Sequence, residues 1–537
     1  MPYNARNGRK KWELLSQDSP SWESQADASE ETFSDHIYPA SDSVKTKLPS
    51  RDNVLWVDWD GLEDPSHPKN WSPRKKWAVT LILSCFAFIS PISSTMVAPA
   101  TSRIAGEFSI TNPSMISMTT SIFVLGYCIG PLIIGPLSEI YGRQRVLQSS
   151  YLFYLLWNTA CALAQSHTQL LAFRILSGLG GSAPLAIGAA IIGDVWHPEE
   201  RGRAIGIYCA APLLGPVVGP VCGAWVAEYS SWRWVFWSTS AVALGIQVVG
   251  LFFFKETFAP YLLEQKAKSL EGKLDSEQAE KYQYVRSIYE GKSNRSWQAI
   301  FKIAMTRPFQ LFYHETIIQI LGVYFGFIYG IYYLYLTQIP PIFEHVYHQP
   351  VGIAGLHYIA LGTGVTIASQ ANAMFMDPIY TRFKAKNRGI GEPEFRLPSM
   401  MVGSVILPIG LLLSGWSAEY ALHWIITDVG MVFVGMGVIL VFQSIQAYMV
   451  DAFTLHAASA LATAATLRSL AGFGFPLFAP SMYQKLGFGK GDTLLACLAI
   501  VIGCPAPILL WRYGNSIRAG SRYARQPLTH GPTRGQS

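Results

Sequence analysis

The chain consists mainly of apolar stretches of about 20 residues, the length that an α-helix needs to cross the hydrocarbon core of a bilayer. Six stretches precede a polar region and six follow it. Their approximate ranges are 77–100, 114–136, 146–165, 169–194, 204–228, 232–254, 308–338, 351–376, 398–416, 420–447, 457–479 and 491–511. Only 14% of the residues are charged, against about 25% in soluble proteins. The sequence therefore predicts an all-α membrane protein with 12 transmembrane helices, and not a soluble enzyme.

The distribution of Lys and Arg predicts that both termini are cytosolic, because cytosolic loops and tails carry an excess of these residues. Of the 41 Lys and Arg residues, all but six fall in the tails, the central polar region and the loops that this topology places in the cytosol. The six exceptions are Arg103, Arg233, Lys485 and Lys490 in outer loops, and Arg174 and Arg468 within helices.

This topology divides the chain into five parts. We expect a mostly disordered cytosolic tail, an N-terminal six-helix bundle, a central cytosolic loop, a C-terminal six-helix bundle and a cytosolic C-terminal tail. Their ranges are 1–76, 77–254, 255–307, 308–511 and 512–537.

Other classes of site receive little support. The net charge of +6 is small for this length, and the basic residues form no patch interleaved with aromatic residues, so nucleic-acid binding is not expected. The seven cysteines all lie in apolar stretches without a CxxC spacing, which argues against a disulfide framework or a metal site. We expect no cofactor and a functional monomer.

The loop after the second predicted helix contains a compact group of glycines and charges. Gly135 could let one helix end approach another, Gly142 permits a turn, and Glu139 lies at helical separation from Arg143, close to Arg145. Such a cluster could lock an inner gate through ion pairs that break on opening. The alternative is a tight turn with positive-inside arginines.

A few ionisable residues fall inside predicted helices, where a charge is costly and usually functional. Arg174 lies in the fourth helix and either faces a polar partner or extends its charge to the outer interface. Glu315 in the seventh helix and Asp428 in the tenth are candidate proton carriers. Arg468 in the eleventh lies deep enough to require a carboxylate partner.

Two further patterns concern packing and a cavity. In the fifth helix, Gly215, Gly219 and Gly223 form one small-residue face against which a neighbouring helix can pack, and Pro220 interrupts the backbone hydrogen bonds. In the seventh helix, aromatic residues at helical spacing could line a cavity for a flat organic molecule or anchor the helix at the interface. These are Phe325, Tyr329 and Tyr332.

These motifs resemble those of the major facilitator superfamily, in its fungal branch of twelve-helix drug:proton antiporters. The loop from Gly135 to Arg145 is similar to that family's signature, with Glu139 where Asp is usual. The helix-4 segment around Arg174 is similar to a motif associated with proton coupling. The segment Gly215–Gly223 resembles the antiporter motif of exporters, with Ala224 where a glycine is usual.

Further similarity runs from Pro65 to the second half of the chain and includes Lys255-Glu256-Thr257 and the segment Pro393–Pro398. The resemblance implies two six-helix bundles related by a pseudo-two-fold axis, with a binding site between them at mid-membrane. The first helix has no acidic residue, whereas several antiporters of this kind bind the proton there. The sequence therefore does not identify the carboxylate that binds the proton.

The resulting hypothesis is a proton-coupled efflux transporter for a small organic compound, such as a drug, a toxin or a secondary metabolite, in the plasma membrane. An importer of polyamines or a nutrient would use the same fold, because fold alone does not fix direction. From another class, a membrane sensor could bind ligand without transporting it. The motifs of metalloproteases and serine hydrolases are absent from the sequence, which argues against a membrane-embedded enzyme.

Overall fold

The computed structural model describes residues 54–61, 63–197, 200–272, 284–288, 297–453, 457–521 and 524. Expectations for the remaining residues, including most of the N-terminal tail, lie outside the described part. The chain divides into two units, one of residues 1–58 and 263–295 and one of residues 59–262 and 296–537.

The first unit contains two short parallel strands, β1 (Val54–Val57) and β2 (Tyr284–Ser287). Their register places Val54 opposite Tyr284 and Val57 opposite Ser287. A helix of residues Ala259–Glu271 begins in the second unit and ends in the first.

The second unit is helical, and its long helices are named here in chain order. The first six are α1 (Pro73–Thr95), α2 (Pro113–Tyr141), α3 (Arg143–Ala162), α4 (His167–Val195), α5 (Arg201–Tyr229) and α6 (Arg233–Phe253). The next four are α7 (Thr316–Pro341), α8 (Val351–Lys386), α9 (Leu397–Glu419) and α10 (Trp424–Ala452). The last two, α11 (457–486) and α12 (488–503), form one run that Gly487 breaks.

Shorter helices connect or extend these twelve. They are Pro68–Asn70, Ala98–Ala100, Thr101–Glu107, Trp297–His314, the π-helical Ile342–Val346, Pro393–Arg396 and Pro505–Ala519. The helix α1 begins, and the segment Pro505–Ala519 after α12 ends, at the same end of the helical unit. We call this the termini end and the opposite end the far end.

Local signals explain where several helices begin and end. Asn112 caps α2 by accepting a hydrogen bond from Ser114 N–H at 3.0 Å, and Ser166 caps α4 by accepting one from Gln169 N–H at 3.3 Å. Gly142, at φ 91°, separates α2 from α3, and Gly487, at φ 78°, separates α11 from α12. Glycine occupies such left-handed conformations without the steric cost that a Cβ imposes.

Ten helices among the described residues are long and apolar enough to cross a membrane. One of them is the continuous run that includes both α11 and α12, and α3 lies outside the ten although it has 20 residues. The structure is therefore compatible with 12 spans. Helices suit this environment because their backbone groups are hydrogen-bonded within the segment, away from lipid.

The buried apolar residues form two clusters that follow the two halves of the sequence. One joins residues between Trp71 and Phe254. The other joins residues from Leu311 onward, together with Val124 of α2. The all-α fold with two helical bundles is thus confirmed, whereas the exact division at residues 76, 254, 307 and 511 stays a prediction.

The seventh span differs from the prediction of 308–338. Residues Trp297–His314 form a separate helix, and α7 starts only at Thr316. Glu315 stands at the junction between the two helices, and its side chain does not cap α7. The expectation that Glu315 lies well inside a membrane helix is therefore wrong.

Candidate functional site

A cavity of about 450 Å³ opens between the two bundles near the far end. It is lined by residues of the short helices Ala98–Ala100 and Thr101–Glu107, of the far ends of α2 and α7, of the segment Ile342–Val346, and around the α11–α12 break. Its polar and aromatic lining includes Thr120, Gln338, Glu344, His345, Tyr483 and Phe488. Because both bundles contribute to its wall, any movement of one bundle against the other would change its shape.

A buried carboxylate lies beside this cavity. Asp492 in α12 is 3% exposed and accepts hydrogen bonds from Tyr335 Oη at 2.7 Å, Tyr483 Oη at 2.5 Å and Ser414 Oγ at 3.4 Å. Among the described residues it forms no ion pair with a Lys, Arg or His side chain. Asp492 was not among the residues predicted from the sequence, although an acidic residue within the predicted segment 491–511 is a visible signal.

The aromatic residues proposed for a cavity surround an arginine in the structure. Arg468 Cζ lies 5.5 Å from the ring centroid of Phe325, 4.8 Å from Tyr329 and 5.4 Å from Phe442. Tyr332 packs 6.3 Å from Tyr329, centroid to centroid. None of these residues lines the 450 Å³ cavity, so their role in a substrate site stays a prediction.

The carboxylate partner expected for Arg468 is absent from the described part of the chain. Arg468 is half-buried, its Nε is buried without a hydrogen-bond partner, and no ion pair is formed with it there. The three aromatic rings contact the guanidinium instead, and a ring face attracts a cation through its quadrupole.

The loop between α2 and α3 holds a different charge pair from the one predicted. Arg143 is 7% exposed and its Nε lies 3.4 Å from Asp194 Oδ2, while Nη1 donates to Ser138 Oγ at 2.6 Å. Glu139 is exposed and has no ion pair among the described residues. The predicted ion pair between Glu139 and Arg143 does not form in this structure, because α2 ends at Tyr141 and the two residues do not share a helix.

The glycines of this loop behave differently from each other. A Cβ at Gly142 would collide with the carboxylate of Glu256, in agreement with the predicted turn, whereas a Cβ at Gly135 would meet nothing within 4 Å. Gly135 therefore does not serve the close approach that we expected. Arg145 packs over the ring of Tyr261, with Cζ 5.5 Å from the centroid.

Glu256 is a further residue of this region that sequence reasoning did not assign a role. Its Oε1 accepts hydrogen bonds from Arg143 N–H and its Oε2 from Gln144 N–H, at 2.9 and 3.1 Å. It therefore caps the N-terminus of α3, where unpaired N–H groups favour an anion.

The second bundle repeats the pairing of Arg143 with Asp194. Just before α9, Arg396 Nε lies 2.9 Å from Asp451 Oδ2 near the end of α10, as Arg143 at the start of α3 approaches Asp194 near the end of α4. Glu394 adds a buried ion pair with Arg518, at 2.7 Å. Both bundles thus carry corresponding charge pairs at the termini end.

Arg174 is fully buried, which favours the alternative of a polar partner over a charge that extends to the outer interface. It donates hydrogen bonds to the carbonyls of Ser93 at 2.8 Å, Ser94 at 2.9 Å, and Thr119 and Thr120, both at 3.1 Å. The Ser93 and Ser94 carbonyls belong to the last turn of α1, where intrahelical partners run out. Arg174 thus joins the end of α1 to α2, and it has no carboxylate partner among the described residues.

The other two predicted proton carriers have polar partners. Glu315 is 2% exposed and accepts a hydrogen bond from the hydroxyl of Ser521. Asp428 lies 2.9 Å from His357 Nδ1, and His357 Nε2 is 2.7 Å from Gln349 Oε1. Asp428 thus belongs to a polar chain near the far end, where α10 begins.

The glycine face of α5 packs against α1. A Cβ at Gly215 would lie 2.9 Å from Pro91 Cβ, and one at Gly219 would lie 2.9 Å from the carbonyl oxygen of Ile92. A Cβ at Gly223 would overlap the carbonyl of Met96. The expected close packing is confirmed, and it occurs within the first bundle. Pro220 lies inside α5 together with two other prolines.

The contact of α5 with the second bundle uses glycines of α8 instead. A Cβ at Gly355 would overlap Ala224, and one at Gly362 would overlap Val217. At the far end, the carboxylate of Glu228 accepts a hydrogen bond from Gly352 N–H at the start of α8. Small residues thus bring α5 and α8 together along the boundary between the bundles.

Comparisons with known proteins agree with this architecture. The sequence profile of the Major Facilitator Superfamily matches residues 83–513. The efflux pump vrtL of Penicillium aethiopicum is 45% identical over 468 residues, covering 87% of this chain and 91% of that protein. The MFS-type transporter penM of Penicillium rubens is 38% identical over 467 residues, with 87% and 90% covered.

Solved structures show the same fold at low sequence identity. The xylose transporter XylE from E. coli, in a partially occluded inward-open conformation, superposes with a TM-score of 0.61 at 16% identity, covering 82% of this chain and 98% of that chain. At this identity the likeness concerns the fold alone. Together with the match to the family profile, it shows that the chain belongs to the major facilitator superfamily and is a multi-pass membrane transporter.

Proposed function

We propose that this transporter exports a small organic compound in exchange for protons, by alternating access across the plasma membrane, with the termini end facing the cytosol. Two relatives support export by their names: the efflux pump vrtL, and the efflux pump radE of Floropilus chiversii, which is 36% identical over 494 residues. The packing of Gly215, Gly219 and Gly223 against α1 fits the exporter motif that the sequence resembles.

Movement would occur at the boundary between the bundles. Glycines of α8 allow α5 and α8 to approach closely, and a surface of small groups offers little steric resistance to sliding. At the termini end, the charge pairs Arg143–Asp194 and Arg396–Asp451 would fix the helix ends in one state and rearrange in the other. Arg145, which packs on Tyr261, would belong to the same gate.

The observation that carries proton coupling is the position of Tyr483. Its side chain lines the cavity, and its hydroxyl donates to Asp492. A carboxylate that is buried among hydroxyls, with no cation paired to it among the described residues, is a suitable proton carrier within a membrane helix. While Asp492 is ionised, its hydrogen bond holds the Tyr483 side chain at the cavity wall and leaves the cavity open to cargo. Protonation would weaken this bond and free Tyr483 to enter the cavity, so proton and cargo would exclude each other.

The remaining candidates have weaker geometry for this role. Arg174 stays charged at physiological pH and cannot itself carry the proton. Glu315 lies at a helix junction on the termini end, and Asp428 contacts His357 near the far end. Either carboxylate could relay a proton at its own surface, and the following experiment includes both.

The test uses purified protein in proteoliposomes and the fluorescent probe anthracene-9-carboxylate. With an acidic lumen, an antiporter accumulates the probe inside, whereas passive distribution of a weak acid excludes it. We expect accumulation that a protonophore abolishes and that protein-free liposomes lack. With the opposite gradient, accumulation that exceeds the passive accumulation in protein-free liposomes would instead identify an importer that moves proton and cargo together.

Variants then test which carboxylate carries the proton. Asp492→Asn should lose accumulation driven by the gradient, and Asp428→Asn and Glu315→Gln should keep it. If Asp492→Asn accumulates the probe like the unaltered protein, the carrier lies elsewhere. If the probe binds without any transport under either gradient, the membrane-sensor alternative is favoured.

A further inference from the structure

Arg468 occupies an unusual position for a cation in a membrane protein. At 1.5 Å per residue, it lies about 17 Å along α11 from Ala457, and Tyr329 lies about 20 Å along α7 from Thr316. Phe442 lies about 15 Å from the end of α10 at Ala452 by the same measure. All three distances start from the termini end, so the guanidinium and its rings lie near the middle of a bilayer of about 30 Å.

No acidic side chain in the described part of the chain pairs with this charge. The rings nearest the guanidinium are those of Phe325 and Tyr329 on α7 and of Phe442 on α10. Nε is buried without a partner, and no hydrogen bond joins Arg468 to any other described residue. The side chain is only half-buried, so its terminal nitrogens remain accessible to a ligand.

A second buried arginine shows what a structural role would look like here. Arg174 directs its guanidinium to four backbone carbonyls of α1 and α2 and is fully buried. Arg468 has none of these bonds, although an arginine at this depth is costly unless it has a partner or a polar cavity. The difference indicates that the partner of Arg468 is not part of the described chain.

We propose that Arg468 binds the anionic group of the cargo, and that the cargo is an acidic aromatic compound carrying a carboxylate or an ionised phenol. This inference rests on the proposed export of an organic compound and specifies its chemical class. The planar guanidinium offers parallel N–H groups that match two carboxylate oxygens, and the half-buried rings of Tyr329 and Phe442 supply aromatic surface for the body of the cargo.

The same cluster disfavours a cationic cargo. Aromatic rings alone could bind an ammonium group, but here the faces of Phe325, Tyr329 and Phe442 already surround a fixed positive charge. An incoming cation would meet a like charge in a region of low dielectric constant, where repulsion is strong. The arrangement therefore selects for anions over neutral molecules and for neutral molecules over cations.

The experiment measures binding of three probes with one ring system to protein in nanodiscs at pH 7, without a proton gradient. The probes are anthracene-9-carboxylate, 9-anthracenemethanol and 9-(methylaminomethyl)anthracene. We expect the carboxylate to bind at least tenfold more tightly than the alcohol, and the amine to bind most weakly. Equal affinities, a preference for the amine, or no binding of the carboxylate by unaltered protein would each overturn the proposal.

Variants test whether Arg468 is the source of the preference for the carboxylate probe. Arg468→Gln should weaken carboxylate binding about tenfold, the size expected when one charge-assisted hydrogen bond is lost, and should leave binding of the alcohol nearly unchanged. Arg468→Lys should fall between. The control Arg512→Gln removes an exposed arginine and should bind all three probes like the unaltered protein. A carboxylate preference that persists in Arg468→Gln would place the anion site elsewhere and contradict the proposal.

The result is separable from the proposed transport cycle. Binding is measured without a gradient, so a transporter that proves not to use protons can still show the Arg468-dependent preference. Conversely, gradient-driven transport of the amine probe in the proteoliposome assay, with no preference for the carboxylate, would retain proton coupling and reject only the anionic cargo.

Discussion

The hydroxyl of Tyr483 lies 2.5 Å from Oδ1 of Asp492, and the same tyrosine lines the cavity between the bundles. The two residues belong to opposite sides of the helix break at Gly487. A change in the cavity wall can therefore reach a buried carboxylate through one hydrogen bond.

This relationship predicts that Tyr483→Phe uncouples transport of the cargo from the proton gradient while cargo binding persists. The variant keeps the ring but loses the donor to Asp492, and a hydrogen bond to a charged group contributes about 1.5–3 kcal/mol. We expect gradient-driven accumulation of anthracene-9-carboxylate to fall about tenfold, while exchange of labelled for unlabelled probe without a gradient continues. Equal loss of both activities would indicate damage to the site and would contradict this role.

Gly219→Leu is predicted to abolish transport by forcing α5 away from α1. A Cβ at residue 219 would already lie 2.7 Å from Thr95 Oγ1 and 2.9 Å from the Ile92 carbonyl, and overpacking typically costs about 1–3 kcal/mol. The matched control is Gly206→Leu on the same helix, where a Cβ meets nothing within 4 Å. Thermal unfolding and probe accumulation should change only in Gly219→Leu; similar behaviour of the two variants would refute the packing argument.

Gly362→Leu tests the boundary between the bundles rather than the interior of one. A side chain there would overlap Val217 of α5, so the two bundles would no longer fit together in the present state. We expect probe exchange to slow by at least tenfold while the protein stays in the membrane with a near-normal unfolding temperature. Gly389→Leu is unsuitable as a control because its φ is 80°, whereas Gly245→Leu on α6 faces open space and should transport normally.

The order of the helices could be predicted because most of the long helices are apolar along their length, with α3 as the exception. The end of a helix was harder to predict. Glu139 and Arg143 have helical spacing in the sequence, but Gly142 at φ 91° separates them. Glu315 was placed inside a span because the preceding residues are apolar enough to continue a helix, whereas the chain forms two helices there.

Contacts between distant residues left no usable pattern in a single sequence. Asp492 and Tyr335 are 157 residues apart, so the position of one does not predict a contact with the other. The partners of Arg174 are backbone carbonyls, which every residue possesses. The aromatic residues of α7 were identified by their spacing, but only the structure shows that Arg468 lies among Phe325 and Tyr329.

The topology makes a separate prediction about glycosylation. The sequon Asn70-Trp71-Ser72 lies directly before α1, and the sequon Asn294-Arg295-Ser296 falls outside the described residues. If the termini end faces the cytosol, neither asparagine can meet the glycosylation machinery of the secretory pathway. Treatment of the membrane-expressed protein with a glycosidase should leave its electrophoretic mobility unchanged, and a mobility shift that Asn70→Gln removes would reverse the orientation.

Arg174 provides the last test, because its geometry and its family resemblance suggest different roles. The structure favours positioning: the guanidinium holds the carbonyls of Ser93 and Ser94 at the end of α1 and those of Thr119 and Thr120 in α2. Hydrogen bonds to a charged group contribute about 1.5–3 kcal/mol each, so Arg174→Ala should lower the unfolding temperature strongly. Arg174→Lys should lower it less, because the ammonium keeps the charge, although it cannot reproduce the planar set of donors.

The control Arg103→Ala removes an arginine that donates to the Ser230 and Glu228 carbonyls at an exposed site and should have a small effect. If Arg174→Lys keeps the unaltered unfolding temperature and probe binding but loses gradient-driven accumulation, positioning is wrong and Arg174 acts directly in proton coupling.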